Sequence, residues 1–126
     1  MEIKEQILSI EQIKELQELG FDFRKHSSVC VIEAKDRNKY IVDRRLIWLH
    51  IGFMETEVIE YHETMTIGDI IECLPKEIEE NELNIFAFGE TWSVGWEGIQ
   101  YYGSNTLIDA LFETLKWCIK QKHLEL

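Results

Sequence analysis

Proline is nearly absent from this 126-residue chain, with Pro75 its single example. No Gly-, Ser- or Pro-rich tract interrupts it, which excludes fibrous and low-complexity classes. What remains is one globular domain, residues 1–126, long enough to bury a core without covalent staples. Long apolar runs are missing too. The most apolar stretch, Leu46 to Met54, contains His50 and is far too short to span a bilayer. The opening MEIKEQILSIEQIKEL carries acids and no uninterrupted apolar stretch, unlike a secretory signal. Cys30, Cys73 and Cys118 are odd in number and widely spaced, which argues against a disulfide framework. These absences together predict a cytoplasmic protein with reduced thiols and no membrane association.

Basic residues are the minority: 13 Lys and Arg stand against 24 Asp and Glu, a net charge of −11. Such a chain has no cationic surface with which to displace counterions from a phosphate backbone, so direct nucleic-acid binding is not expected. The excess is uneven, because Glu55 to Glu82 holds ten acids and one base, Lys76. In functional terms that stretch is a docking face for a basic partner or an imitation of a phosphate backbone, with Glu77, Glu79 and Glu80 as its candidate residues. In plain terms it is a solvated surface.

Catalytic signatures are also lacking. His26, His50, His62 and His123 form no recognisable ligand set, and the close pairs His26/Cys30 and Cys118/His123 do not have zinc-site spacing. His62-Glu63 begins like a zincin helix, but Thr66 stands where the second histidine belongs. No nucleophile elbow, phosphate-binding loop or dinucleotide fingerprint occurs. No metal, cofactor or catalytic residue is therefore assigned.

What is present is strong local patterning. Ser9 with Gln12 and Thr66 with Asp69 are capping boxes, with Leu8/Ile13 and Met65/Ile70 as hydrophobic staples. The first helix carries Ile10, Ile13, Leu16 and Leu19 on one face and stops at Gly20, leaving Phe21 to fold back on Leu16. The Thr66 helix turns Ile67, Ile70, Ile71 and Leu74 inward and ends at Pro75, with one more turn over Lys76–Glu80. The last helix runs from Asn105 or Thr106 to Gln121, with a stripe of Leu107, Ile108, Leu111, Phe112, Leu115, Cys118 and Ile119. Trp117 lies opposite that stripe beside Glu113 and Ala110, which makes it a candidate interface residue unless a neighbouring segment covers it. SVCVIEA and KYIVD suggest one hairpin, and Leu46–Ile51 with Met54–Tyr61 a second turning at Gly52-Phe53.

The aromatic segment ETWSVGWEGIQYYG follows a strand, LNIFAF. With Gly89-Glu90 as a two-residue turn, Phe88 faces Thr91, Ala87 faces Trp92, Ile85 faces Val94 and Leu83 faces Trp96. One side of the sheet is then wholly apolar and takes both tryptophans inside. With Glu97-Gly98 as the next two-residue turn, Trp96 faces Ile99 and Val94 faces Tyr101, which sends Tyr102 to the reverse side. That reverse side, holding Phe86, Phe88, Ser93, Gly95 and Tyr102, is the candidate binding surface, with a gap at Gly95. The alternative is that the first helix or the other hairpin covers it.

Three segments, LSIEQIKELQELGFDF, TMTIGDIIECLPKEI and NTLIDALFETLKWCIKQKHL, occur in this order with a WSV strand between the last two. They resemble a group of short uncharacterised proteins of gut Bacteroidetes and their phage-like or mobile elements. The likeness lies mostly in the helices, departs between Cys30 and Tyr61 and contains no catalytic motif. It implies a cytoplasmic accessory protein, of the prophage-encoded kind, and transfers no site residue.

The expected architecture is α+β: an antiparallel meander sheet packed on one face by the N- and C-terminal helices, with the short middle helix closing an end. The expected function is non-enzymatic binding, to a protein partner or a second copy, through the reverse sheet face or the Trp117 edge. The alternative is an acidic inhibitor or nucleic-acid mimic working through residues 55–82.

Overall fold

The computed structural model describes residues 6–35, 39–43 and 58–124. Its helices begin where a short side chain can accept from an otherwise unpaired amide. At α1 (Ile10–Glu18), Gln12 N–H donates to Ser9 Oγ at 3.1 Å and Ser9 N–H to Gln12 Oε1 at 3.0 Å. At α2 (Ile67–Cys73), Thr66 and Asp69 exchange the same two bonds, both at 3.1 Å. Thr106 caps α3 (Leu107–Lys120) by accepting from Asp109 N–H. α1 stops at Gly20, φ +90°, and the Gly20 and Phe21 amides donate back to the Gln17 and Leu16 carbonyls. This is the Schellman arrangement, and Phe21 joins Leu16 in the core. α3 closes the same way through the Lys122 and His123 amides, with Lys122 rather than glycine in the left-handed conformation.

The seven strands among the described residues form two antiparallel sheets rather than one. β1 (Val29–Ala34) pairs with β2 (Lys39–Asp43) as the expected first hairpin, from Val29 opposite Asp43 to Glu33 opposite Lys39. β3 (Val58–Thr64) takes the other edge of β1, giving the order β2-β1-β3. The expected pairing of Leu46–Ile51 with the next strand, including Arg45 opposite Glu60, lies outside the described residues. The second sheet is a meander of β4 (Glu77–Ile78), β5 (Asn81–Phe88), β6 (Thr91–Trp96) and β7 (Gln100–Ser104).

α3 lies across the inner side of β6 and β7, and α2 packs on α3. α1 is held beside α3 by Gln12 Nε2 donating to Asp109 Oδ1 at 2.8 Å and by Lys116 reaching Glu15 at 3.0 Å. Leu8, Ile13 and Leu16 of the N-terminal segment, Ile70 of α2 and its C-cap Leu74, the α3 stripe, and Val94 and Trp96 of β6 make one buried cluster. Two buried threonine hydroxyls donate to backbone carbonyls. Thr114 Oγ1 donates to its own helix at Ala110 O, 2.8 Å, beside Val94 O of β6 at 3.5 Å, and Thr64 Oγ1 donates to Leu8 O at 2.9 Å. Ile7 and Ile10 cover Val31 of β1, so α1 serves both sheets. The fold class is α+β, as expected.

Residues 76–80 depart from the expectation of a further helical turn. Pro75 starts an extended segment in which Ile78 is buried, and Leu83 N–H donates to Lys76 O at 2.8 Å. Ile78 opposite Asn81 leaves Glu79 and Glu80 as a two-residue turn with φ of +50° and +70°, the type I′ pattern. Two glutamates occupy positions that normally take Asn-Gly. Replacing them, Glu79→Asn with Glu80→Gly, is expected to stabilise the chain by about 1 kcal/mol. Urea denaturation of the two proteins measures this, and an unchanged or lower midpoint contradicts the turn assignment.

Candidate functional site

The β5–β6 hairpin has the register read from the sequence: Phe88 pairs with Thr91, Ala87 with Trp92, Ile85 with Val94 and Leu83 with Trp96. Gly89 has φ +63° and Glu90 is not left-handed, as in a type II′ turn. The β6–β7 hairpin does not follow the expected register. Trp96 pairs with Gln100, Val94 with Tyr102 and Gly95 with Tyr101, one residue away from the two-residue prediction. The cause is Gly98, φ +76°, at the second turn position, with Ile99 N–H bonded to Trp96 O at 3.0 Å. That is type II geometry, which splays hairpin strands, and the ladder resumes only after one extra residue, Ile99.

A one-residue slip exchanges the faces of a strand. Tyr102 therefore stands on the inner, α3 side, and Tyr101 takes the place expected for it on the outer side. The outer face consists of Asn84, Phe86 and Phe88 from β5, Thr91, Ser93 and Gly95 from β6, and Tyr101 and Gly103 from β7. Neither α1 nor α3 covers it: Phe88 is 84% exposed, Phe86 47% and Tyr101 36%. Tyr101 meets Phe86 edge-on at 5.8 Å between ring centres, and its hydroxyl accepts from Asn84 Nδ2 at 3.2 Å. Because Asn84 and Tyr101 flank Gly95 on neighbouring strands, that contact carries the tyrosine side chain across β6 above the glycine.

Gly95 is consequently not an open gap. A Cβ there would lie 2.0 Å from the Gln100 carbonyl oxygen and 2.7 Å from the Tyr101 Cα, so the backbones approach too closely for any side chain. The tryptophans also part company. Trp96 is fully buried, with its indole N–H on the Pro75 carbonyl at 3.1 Å, whereas Trp92 is 36% exposed at the hairpin end.

Trp117 is covered, the alternative to a bare edge that its helical angle left open. Its ring packs on Trp96 (5.8 Å) and on His123 (5.0 Å), because the C-terminal turn of α3 folds His123 back over it. Ala110, expected beside it on the outward side, is fully buried. Glu77, Glu79 and Glu80 are all exposed, but the wider acid run is divided among β3, α2 and the β4–β5 hairpin, with Glu55 and Glu57 outside the described residues. Asp69 within it is committed to capping α2 and to accepting from Ser28 N–H and Oγ.

Chemistry of other kinds has less to work with. A cleft of about 240 Å³ beside β3 is lined by Asp22, Arg24, Tyr61, His62 and Glu63. Arg24 is already paired with Asp22 at 3.2 Å. His62 Nε2 lies 3.2 Å from Glu60 Oε1, within ion-pair range but off the line of a hydrogen bond, and the imidazole holds the Glu60 carboxyl below its usual range. Among the described residues no three of His, Cys, Asp and Glu converge as a metal site. Nor is any helix among them long and apolar enough to cross a membrane. Burial raises the Cys73 thiol to about 11 and the Cys118 thiol, which also has Cys73 nearby, to about 12.

Two outcomes follow from this geometry. Gly95→Ala is expected to lose about 3 kcal/mol of stability in urea denaturation, from overpacking against backbone; an unchanged midpoint would mark Gly95 as a tolerant gap. Iodoacetamide at pH 8, read by peptide mass spectrometry, is expected to spare Cys73 and Cys118 in the native chain and modify both in urea, since the thiolate is the reactive form. Native labelling as fast as unfolded labelling contradicts their burial. The chain matches no family model, no curated protein and no solved structure.

Proposed function

We propose that this chain is a non-enzymatic protein-binding module that works through the outer face of the β4–β7 sheet, in the accessory role implied by its sequence resemblance. The observation that supports this reading is Phe88. A large aromatic side chain left 84% exposed, beside Phe86 and the Tyr101 ring, makes no contribution to the core and forms the kind of apolar patch that marks interaction surfaces. Exposed aromatics within a neutral strip are also typical anchors of protein interfaces. The Trp117 edge has weaker support, because Trp96 and His123 occupy its ring. The acidic-mimic reading is weakened by the division of residues 55–82 among three elements.

The experiment separates binding from folding. Phe88→Ser is expected to keep the unfolding free energy within about 0.5 kcal/mol of the native chain, as surface substitutions usually do. The same substitution is expected to abolish capture of a partner by the immobilised chain from cells that encode it, while Tyr61→Ser, on β3 of the other sheet, leaves capture intact. A stability loss above 1 kcal/mol for Phe88→Ser, or capture unaffected by it, refutes the proposal.

A further inference from the structure

The outer face has a chemical polarity along β5. Side chains alternate along a strand, so Glu82, Asn84, Phe86 and Phe88 share its outer side, and all four are exposed. Glu77 stands directly opposite Glu82 across the β4–β5 pair, and facing residues share a side. The acidic end of the face is thus a pair of like charges placed side by side, an arrangement that destabilises a sheet. Among the described residues neither carboxylate is ion-paired with a Lys or Arg, although Lys76 lines the same cleft as both. Lys76, the nearest along the chain, sends its amine to the Ile71 carbonyl of α2 instead. The two glutamates stand at the rim where the outer face turns over into a cleft floored by Ile71, Leu83 and Ile85. Phe88 lies six positions beyond Glu82, about 20 Å at the rise of a strand. Phe88 at the far end, and Phe86 and Tyr101 between, carry no formal charge.

We infer that this face receives a cationic and apolar segment of a partner protein, with Lys or Arg bridging Glu77 and Glu82 and large apolar side chains set on Phe86, Phe88 and Tyr101. The inference rests on the reading of the face as a binding surface and adds the chemistry of its occupant. Charge complementarity selects that occupant. A guanidinium or ammonium group between the two carboxylates removes their mutual repulsion and forms charge-assisted hydrogen bonds. A second copy of this chain would bring the same acids, within a net charge of −11, to a face that offers them no cation. A single-stranded nucleic acid would stack on the aromatics but set its phosphates near the glutamates.

The test pans a display library of random dodecapeptides on the immobilised full chain. Enriched peptides are expected to carry at least two Lys or Arg and at least two large apolar residues, set about three to six positions apart. A synthetic copy of the most enriched peptide is expected to bind Phe88→Ser about tenfold more weakly, and the Glu77→Lys/Glu82→Lys double variant about tenfold more weakly at low salt. Added salt should weaken binding to the native chain and not to the double variant. Circular dichroism checks that both variants are folded. Enriched peptides without basic residues, or binding that is lost with Phe88→Ser but kept by the double variant, overturn the inference and leave the binding face standing. No enrichment over the Phe88→Ser bait overturns both. A light-scattering mass that is dimeric for the native chain and monomeric for Phe88→Ser makes the second copy the occupant and overturns the cationic partner.

Discussion

Trp96 is where the structure is tied together. Its indole is fully buried at the end of β6, donates to the Pro75 carbonyl where α2 gives way to β4, and packs against Trp117 of α3. One side chain therefore sets the sheet, the exit of the middle helix and the last helix in mutual position. Truncating a buried tryptophan typically costs about 3–5 kcal/mol. The hydrogen bond matters as much as the area, because a buried indole N–H without a partner carries its full desolvation penalty. Thr114 Oγ1, whose short bond is to Ala110 O within α3, lies 3.5 Å from the Val94 carbonyl on the same side of β6.

That attachment leaves the two faces of the sheet unequal. Among the described residues all three α-helices lie on the Trp96 side, with α3 directly on β6 and β7 and α2 packed on α3. The opposite side is stabilised within itself, by the Tyr101 side chain crossing above Gly95 to reach Asn84 and Phe86. A ring laid over a glycine in this way restores some of the packing that glycine forfeits in a strand. Phe88 lies beyond its reach at the hairpin tip and remains exposed. Binding potential and structural role thus divide within a few residues of one face.

Much of the fold was legible from short-range chemistry. Both capping boxes, the Gly20 stop with Phe21 folded on Leu16, the β1–β2 hairpin and the β5–β6 register all depend on residues within a few positions of one another. Hydrogen bonds and φ preferences decide such features locally. The candidate face was legible in part. Phe86, Phe88 and Ser93 lie where a two-residue Gly89-Glu90 turn places them, while Tyr102 faces inward because the Glu97-Gly98 turn is type II and leaves Ile99 as an extra residue. The clue was present: glycine second in the turn favours type II, and type II is a poor hairpin turn. Lys76–Glu80 is a similar case, since nothing local announces that Ile78 must reach the core.

By itself, then, the sequence determined where helices start and stop and which strand residues of the β5–β6 hairpin alternate inward. Each follows from the preferences of a residue and its near neighbours. Only the tertiary structure decided that the strands divide into two sheets, that Trp117 is covered by His123, that Gly95 is closed by backbone and Tyr101, and that the Phe86–Phe88 side stays open. Those outcomes depend on which distant element packs on which face, and the same amphipathic pattern is compatible with several answers until the core is assembled around Trp96.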